Sequence, residues 1–426
     1  MKAKFFMRSI LRHRALQLVF TANLVSMLGS GMNSAGVTWH ILQVTHSETA
    51  LGTLVVLATL PALIIMPLSG VIIDRHDRRR LVMVLDSVRA LVVFAVAILA
   101  LTGRAHVWQL YCMVMLVAAG FWMFWPTITA LVQELTPGAE FVQSNNFLLA
   151  GVQAGWMLAG ALVGYSYNHI GLGGVLLIDC GTYLVSFACY LFLRKGTHLV
   201  QPAPESAQMA IRRVEGAVTA FARELGDGFR YLAAHKYILP LGLSYSLFLS
   251  AMWMQSILTA PLSDRLLHGG AVGYGRLNAS WAVGALLSVL YSPWLIRRIG
   301  GYRTVALGMG LLAMALFSLP FSRELLFATG IYIVMGSSRG VGGVAISSGM
   351  MEYVPKHYMG RVQNTFFFLA TIIQLAFGFL VGATAHRVSL TLAFAIVGTT
   401  YLMAALSTLI PLHAPMRVPG AAAAQD

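Results

Sequence analysis

The sequence predicts an all-α membrane protein whose twelve transmembrane helices form two pseudo-symmetric six-helix bundles. Three observations predict this fold: the apolar composition, the number of long apolar segments, and an internal repeat. The chain has 426 residues, of which 58% are hydrophobic and 10% are charged, and its mean hydropathy is +0.75. Soluble proteins of this length carry many more charged residues. The chain therefore belongs in a lipid bilayer.

Twelve apolar segments are each long enough to cross a bilayer, which takes a helix of about 20 residues. None shows the alternation of polar and apolar residues that is typical of membrane β-barrel strands. The first segment follows a basic start, and because another apolar segment comes next, we expect an uncleaved first helix. The segments cover residues 15–40, 50–73, 81–102, 106–130, 142–168, 172–193, 237–262, 271–296, 303–320, 324–348, 362–385 and 389–411.

The predicted domain organisation is an N-terminal six-helix bundle (residues 1–194), a cytoplasmic linker (195–236), a C-terminal six-helix bundle (237–412) and a cytoplasmic tail (413–426). The apolar pattern lapses in the linker, where proline is followed by a predicted amphipathic surface helix. The polar side of that helix carries Arg212, Arg213, Arg223, Glu224 and Arg230.

An internal repeat supports the division into two bundles. Eight residues recur with a constant offset of 218 positions across the fifth and sixth spans of each half, and earlier in each half the offset is 223, which matches Gly52 to Gly275. Two similar membrane halves are typical of secondary transporters, which bind substrate between them. The recurring residues are Glu134, Pro137, Asn146, Gly160, Val163, Gly164, Tyr183 and Leu184, followed by Glu352, Pro355, Asn364, Gly378, Val381, Gly382, Tyr401 and Leu402.

Basic residues predict the orientation. With a cytoplasmic N-terminus, the cytoplasmic side holds 22 Lys and Arg residues and the opposite side holds 5, so the positive-inside rule places both termini in the cytoplasm. We expect a multi-pass protein of the bacterial inner (plasma) membrane. The net charge of +14 then reflects topology and attraction to anionic membrane lipids, and no nucleic-acid partner is expected.

The sequence offers no pattern for enzymatic chemistry. The 12 histidines are scattered without HxxxH or CxxC spacing, and no GxxxxGK[ST] motif occurs. We therefore expect no catalytic residues, no metal site and no cofactor. The three cysteines, Cys112, Cys180 and Cys189, lie in predicted spans and imply no disulfide framework.

The stretch GVIIDRHDRRR follows the second span and packs two acids and four arginines into seven residues. Gly70 and Asp74 are four residues apart and share a helix face, so a neighbouring helix can approach where a carboxylate can meet it. An arginine run alone anchors a loop inside the cell, and for Arg78, Arg79 and Arg80 both this role and a specific role are open. An acid gains nothing from topology, so we expect Asp74 to have a functional role.

Gly70, Asp74, Arg75, Arg78 and Arg79 resemble the G-x-x-x-D-R-x-x-R-R signature of the major facilitator superfamily. The resemblance implies the major facilitator fold and a conformational latch, in which this loop docks on the start of helix 11, where the helix dipole attracts an anion. Gly360 and Arg361 occupy that start. Arg297 stands where the second half would repeat Asp74, so the pattern is not duplicated.

Four longer stretches resemble the branch of the superfamily that contains macrolide-efflux and enterobactin-exporter-like proteins. The resemblance implies multidrug efflux, although the antiporter motif ending helix 5 is represented only by GWMLAGALVG, without its proline. The stretches are LDSVRALVV, LVQELTPGAEFVQSNNFLLAG, LLIDCGTYLVSF and EYVPKHYMGRVQNTFF.

Charged residues inside spans are costly unless paired, which makes them candidates for function. Asp86 and Arg89 lie three apart on helix 3 and can form an ion pair, which we expect to be structural, with a gating role as the alternative. Asp179 lies about two turns into helix 6 without a basic neighbour in sequence. It is a candidate proton carrier, and the alternative is a structural carboxyl that holds helix 6 against helix 3.

Several polar and aromatic residues are candidates for a central substrate cavity. A polar stripe on helix 1 could face the cavity, or it could bond to a neighbouring helix. Arg339, in helix 10, could extend to the interface, pair with an acid, or meet an anionic substrate. The candidates are Asn23, Ser26, Ser30, Asn33, Gln153, Trp156, Trp253, Gln255, Arg339 and Gln374.

These observations together predict a secondary active transporter, a monomer, that exports a small amphipathic drug-like compound in exchange for protons. The alternatives within transport are a siderophore exporter and a lysophospholipid flippase. A membrane channel or a structural protein is the alternative class, and the two-fold repeat favours alternating access over both.

Overall fold

The computed structural model describes residues 14–136, 141–193, 207–235 and 238–410. Within these ranges the chain is helical apart from short connections, and no strand is present. Long helices form because the apolar segments can satisfy their backbone hydrogen bonds internally, as a bilayer requires. The helices are α1 (Arg14–Thr45), α2 (Glu48–Arg75), α3 (Arg78–Leu101), α4 (Val107–Leu135), α5 (Phe141–Leu191), α6 (Ala207–Ala234), α7 (Leu239–Pro261), α8 (Gly270–Ile299), α9 (Gly301–Ser318), α10 (Leu325–Tyr353), α11 (Lys356–Arg387) and α12 (Leu390–Leu409).

Helix α5 contains two membrane crossings. Its 51 residues would extend about 77 Å as one helix, far beyond the roughly 30 Å core of a bilayer. The backbone leaves the helical conformation at Gly171, where φ is +61°, a value that glycine adopts without steric cost. We call residues 141–170 the first arm and residues 172–191 the second arm.

Contacts with α1 show that the second arm returns across the membrane. Gly29 of α1 packs beside Thr182, and Gly36, two turns later, packs beside Val175. The second arm therefore runs antiparallel to α1. Eleven helices of the described chain are long and apolar enough to cross a membrane, and the break in α5 brings the number of crossings to the predicted twelve.

The predicted all-α fold is confirmed, and with an even number of crossings the two ends of the described chain lie on the same face. We call it the termini side and the other face the opposite side. Helix α6 is the amphipathic helix predicted in the linker, and it packs along α11 and α2 on the termini side. The domain boundaries at 194 and 236 lie outside the described residues and stay predictions, as does the tail at 413–426.

The two halves meet through glycines that obey the internal repeat. Gly164 in the first arm of α5 packs against Gly275 in α8, and a methyl group on Gly275 would lie 3.0 Å from the Gly164 nitrogen. The repeat relates this pair to Gly382 in α11 and Gly52 in α2, where a methyl group on Gly382 would lie 3.0 Å from the Gly52 Cα. Glycine lets helix backbones approach closely, so the interface between the halves is itself pseudo-symmetric.

Candidate functional site

A buried ion pair lies within the N-terminal half. Arg89 donates a hydrogen bond to Asp86, as the i,i+3 spacing on α3 predicts, and both side chains are fully buried. Ser186, from the second arm of α5, donates to the other oxygen of Asp86 at 2.7 Å. The guanidinium of Arg89 lies 4.6 Å from the ring centroids of Phe124 and Tyr183. The pair therefore ties α3 to α4 and α5.

Asp179 lies next to this pair and is also fully buried. Its carboxylate accepts a hydrogen bond from the Asn33 side-chain amide at 2.7 Å. The bond to a neighbouring helix fits the structural alternative, but that helix is α1 and not α3. The side chain one turn further on, Tyr183, shares a hydrogen bond of 2.9 Å with Ser30. Arg89 stacks on that same tyrosine, one helical turn from Asp179. Two acids and one base thus lie in one buried polar network.

The four residues of the polar stripe on α1 are all buried, and two of them belong to this network. Ser30 and Asn33 bond to the second arm of α5, which is the helix-to-helix use that competed with a cavity role. Asn23 and Ser26 are buried as well, and Asn23 Oδ1 and Ser26 Oγ have no hydrogen-bond partner among the described residues.

The remaining cavity candidates lie in several environments. Gln374 donates a hydrogen bond to Thr59 and so connects α11 to α2 across the two halves. Gln255 is buried and accepts a hydrogen bond of 3.4 Å from Tyr401 inside the C-terminal half. Trp156 and Trp253 are half-buried, whereas Gln153 is exposed to solvent or lipid. The structure does not gather these side chains into one cluster.

Arg339 is half-buried in the interior of the C-terminal half. Its guanidinium lies 4.7 Å from the Trp281 ring centroid and 5.9 Å from that of Phe248, and it contacts the sulfur of Met252. Arg339 makes no ion pair with an acid anywhere in the described ranges. The predicted partner acid across the bundle is therefore not found there.

The charged stretch after α2 has a local structural role. Asp77 caps α3 by accepting hydrogen bonds from the backbone nitrogens of Arg79 and Arg80. Arg79 donates to the carbonyl oxygens of Tyr190 and Leu191 at 2.6 and 2.8 Å, where α5 ends. Cations stabilise the carbonyl ends of helices. In the same way Arg78 donates to the Ala130 carbonyl, at 2.9 Å, near the end of α4.

The two glycines of the predicted latch, Gly70 and Gly360, have no packed neighbour among the described residues. No heavy atom lies within 4 Å of the point where a side chain would begin at Gly70 or Gly360. The side chain of Asp74 lies outside the described residues, and Arg75 is half-buried. Arg361 lies 4.0 Å from Asp227 of α6, so the start of α11 is engaged by the linker helix.

A cluster that the sequence analysis missed joins the two halves on the opposite side. Glu48, at the start of α2, is fully buried, and its carboxylate lies 2.7 Å from the Arg265 guanidinium and 3.2 Å from His386 Nδ1. Arg265 also donates to the His46 carbonyl at 2.7 Å. We call Glu48, Arg265 and His386 the Glu48 cluster. An adjacent hydrogen bond of 3.1 Å links Gln43 to Asp264.

Only weak signals could have identified the Glu48 cluster. Glu48 and Arg265 are 217 residues apart, and each looks like an ordinary acid or base at the end of a span. The one sequence feature near it is the repeat that relates Gly52 to Gly275. The described residues hold no group of three His, Cys, Asp or Glu side chains that could bind a metal ion.

Comparisons with known proteins agree with this architecture. Residues 19–378 match the model of the Major Facilitator Superfamily, so the chain belongs to that family. It is similar to the uncharacterized MFS-type transporter YfiS of Bacillus subtilis, with 23% identity over 93% of each chain. It is also similar to macrolide efflux protein A of Streptococcus pyogenes, with 22% identity over 91% of this chain and 93% of the relative.

Solved structures show the same fold. The crystal structure of the nucleoside transporter NupG superposes with a TM-score of 0.69 over 94% of this chain and 100% of that one, at 15% identity. The family and the fold together establish a multi-pass membrane transporter, which handles a small-molecule substrate.

Proposed function

We propose that this protein is a secondary active exporter that moves an amphipathic small molecule out of the bacterial cytoplasm or inner leaflet by alternating access. The observation that carries the proposal is the Glu48 cluster, which closes the opposite side through the Glu48–Arg265 ion pair and the Glu48–His386 hydrogen bond between the two halves. A residue pair that bridges the halves can break when they rock apart. A permanently packed structural protein has no need of one at this position.

The distribution of basic residues supports the orientation. If both termini are cytoplasmic, the Glu48 cluster lies on the outer side and closes it, as an inward-facing or an occluded state requires. Gly70 and Gly360 are exposed, which fits a disengaged latch. A cysteine at exposed position 224 should then react with an impermeant maleimide only from the cytoplasm, and one at position 104 only from outside. The reverse pattern would refute the orientation.

The transport cycle needs one set of contacts that closes the outer side and another that closes the cytoplasmic side, and the two sets cannot form at the same time. Opening to the outside separates Glu48 from Arg265 and His386, and the predicted latch between Asp74 and the start of α11 stabilises closure of the cytoplasmic side. In that account Arg78 and Arg79 hold the loop on α4 and α5 so that Asp74 is presented to α11. A ligand or proton shifts the equilibrium only by its differential affinity for the two states.

Asp179 is the proposed proton site. It is a fully buried acid that accepts a hydrogen bond from Asn33 and makes no ion pair with any residue in the described part of the chain. Arg89, already paired with Asp86, is the nearest base in its network. Gaining or losing one proton at Asp179 changes the charge balance among these three groups and the bonding between α1 and α5, which is a means of coupling proton movement to helix movement.

The similarity to macrolide efflux protein A supports export as the direction of transport. The test uses inverted inner-membrane vesicles, in which an exporter accumulates its substrate. We expect a radiolabelled macrolide to accumulate when a proton gradient, acid inside, is imposed, and a protonophore should abolish this. The variant Gly164→Ala, which obstructs the interface, should accumulate much less, whereas Gly181→Ala, where a methyl group meets open space, should match wild type. The proposal is contradicted if neither the macrolide nor any other amphipathic compound that binds the purified protein accumulates, or if accumulation ignores the gradient.

A further inference from the structure

The C-terminal half contains a positive charge near the middle of a span, and no acid among the described residues pairs with it. Arg339 lies 14 residues from each end of α10 (Leu325–Tyr353), which places it about 21 Å from both ends. The roughly 30 Å core of a bilayer extends about 15 Å to each side of its centre, which is farther than an arginine side chain reaches. The charge must therefore be stabilised where it is.

The described surroundings of Arg339 stabilise the cation only weakly. The neighbouring rings of Trp281 and Phe248 attract it through their π faces, and the sulfur of Met252 is a weak acceptor. The Nε atom of Arg339 is buried without a hydrogen-bond partner in the described part of the chain. A guanidinium carries five N–H donors, and the Met252 sulfur is the one acceptor found for them among the described residues.

The other intramembrane arginine shows what Arg339 lacks. Arg89 also stacks on two aromatic rings, but Asp86 neutralises it and the ion pair is sealed from solvent. Arg339 makes similar aromatic contacts, but no acid pairs with it among the described residues. It is also partly exposed, as are Trp281 and Met252 beside it, so another molecule can approach the group.

We propose that Arg339 binds the anionic group of the transported compound, so that the substrate is an amphipathic organic anion carrying a carboxylate or a phosphate. The planar guanidinium matches both groups through paired hydrogen bonds. The half-buried ring of Trp281 supplies a surface for the apolar body of the same molecule. This inference deepens the proposed export function. It depends on that function only in taking the bound anion to be the transported compound, and binding itself is tested without transport.

The experiment measures binding to the full-length protein in nanodiscs made of zwitterionic lipid. One probe pair is 11-(dansylamino)undecanoic acid and its carboxamide, which differ only in charge. A second pair, lysophosphatidylglycerol and lysophosphatidylcholine, competes with the dansyl acid and shows whether the anion can come from a lipid. Charge-assisted hydrogen bonds differ enough from neutral ones that we expect the acid to bind about 10-fold or more tightly than the amide.

Variants then assign the preference to one residue. Arg339→Gln should abolish the preference for the acid, and Arg339→Lys should retain part of it because the charge remains while the paired geometry is lost. The matched control Arg276→Gln removes an exposed arginine from the adjacent helix α8 and should keep the full preference. The comparison of acid with amide on the wild-type protein needs no variant, so a folding defect in Arg339→Gln cannot rescue the proposal.

The outcomes separate this inference from the proposed function. The inference is overturned if the wild-type protein binds acid and amide equally, prefers the amide, binds neither dansyl acid nor lysophosphatidylglycerol, or keeps its preference in Arg339→Gln. Gradient-driven accumulation of a macrolide together with any of these results would leave export standing. An Arg339-dependent preference without transport of any bound anion would instead support the site and refute the export function. Competition by lysophosphatidylglycerol alone, and not by lysophosphatidylcholine, would identify a lipid as a source of the anion.

Discussion

Replacing Glu48 with glutamine should open the side of the protein that the Glu48 cluster closes. The carboxylate of Glu48 is fully buried, whereas the side chains of Arg265 and His386 are 41% and 40% exposed. Removing one member of a fully buried pair costs about 3 to 5 kcal/mol, and exposure of the partners reduces this toward the value of a surface pair. We expect the closed state to lose about 1 to 3 kcal/mol, which shifts the equilibrium between states about 5- to 150-fold.

Spin-label distances across the opposite side measure this shift. Val44, at the end of α1, and Val388, just after α11, are exposed residues of different halves and can carry the labels once Cys112, Cys180 and Cys189 are replaced. Glu48→Gln should add or enlarge a long-distance population, whereas Glu324→Gln, which neutralises an exposed acid on the same side, should not. An unchanged distance distribution in Glu48→Gln would refute the reasoning that the cluster holds the halves together.

Two further substitutions test the proton site and the latch. Asp179→Asn keeps the size of the side chain and an acceptor for Asn33, so the protein should fold normally. Transport in vesicles should lose its dependence on the proton gradient. An unchanged dependence would make Asp179 a structural residue. Asp74→Asn removes a charge that would meet the helix dipole, about 0.3 to 2 kcal/mol, so transport should fall with substrate binding kept. Arg78→Ala, which breaks a contact with the Ala130 carbonyl, should instead lower thermal stability, and a transport rate unaffected by Asp74→Asn would exclude the latch.

The fold could be predicted from the sequence because its causes are local or repeated. Each span is visible as an apolar segment of sufficient length, and the surface helix α6 is visible as an amphipathic segment. The break at Gly171 was also anticipated, because the fifth and sixth apolar segments were separated at residues 168–172. The ion pair of Asp86 with Arg89 follows from their spacing on one helix.

Contacts between distant helices could not be predicted in the same way. Nothing local shows that Asn33 on α1 reaches Asp179, or that the serine bonded to Asp86 comes from the second arm of α5. The Glu48 cluster brings together three segments from both halves, and its members resemble loop charges in the sequence. Arg339 was recognised as an unusual residue, but only the packing of α7, α8 and α10 shows that its neighbours are aromatic rings and a methionine.

The central claim is that the closure on the opposite side must be undone in every transport cycle. A cross-link between cysteines at positions 43 and 264, whose native side chains are hydrogen-bonded between the halves, should prevent this. The control cross-link joins positions 40 and 167, which are hydrogen-bonded within the N-terminal half. Accumulation of a radiolabelled macrolide in inverted vesicles should be lost with the first cross-link, restored by reductant, and unaffected by the second. Full accumulation with the halves cross-linked through positions 43 and 264 would contradict alternating access.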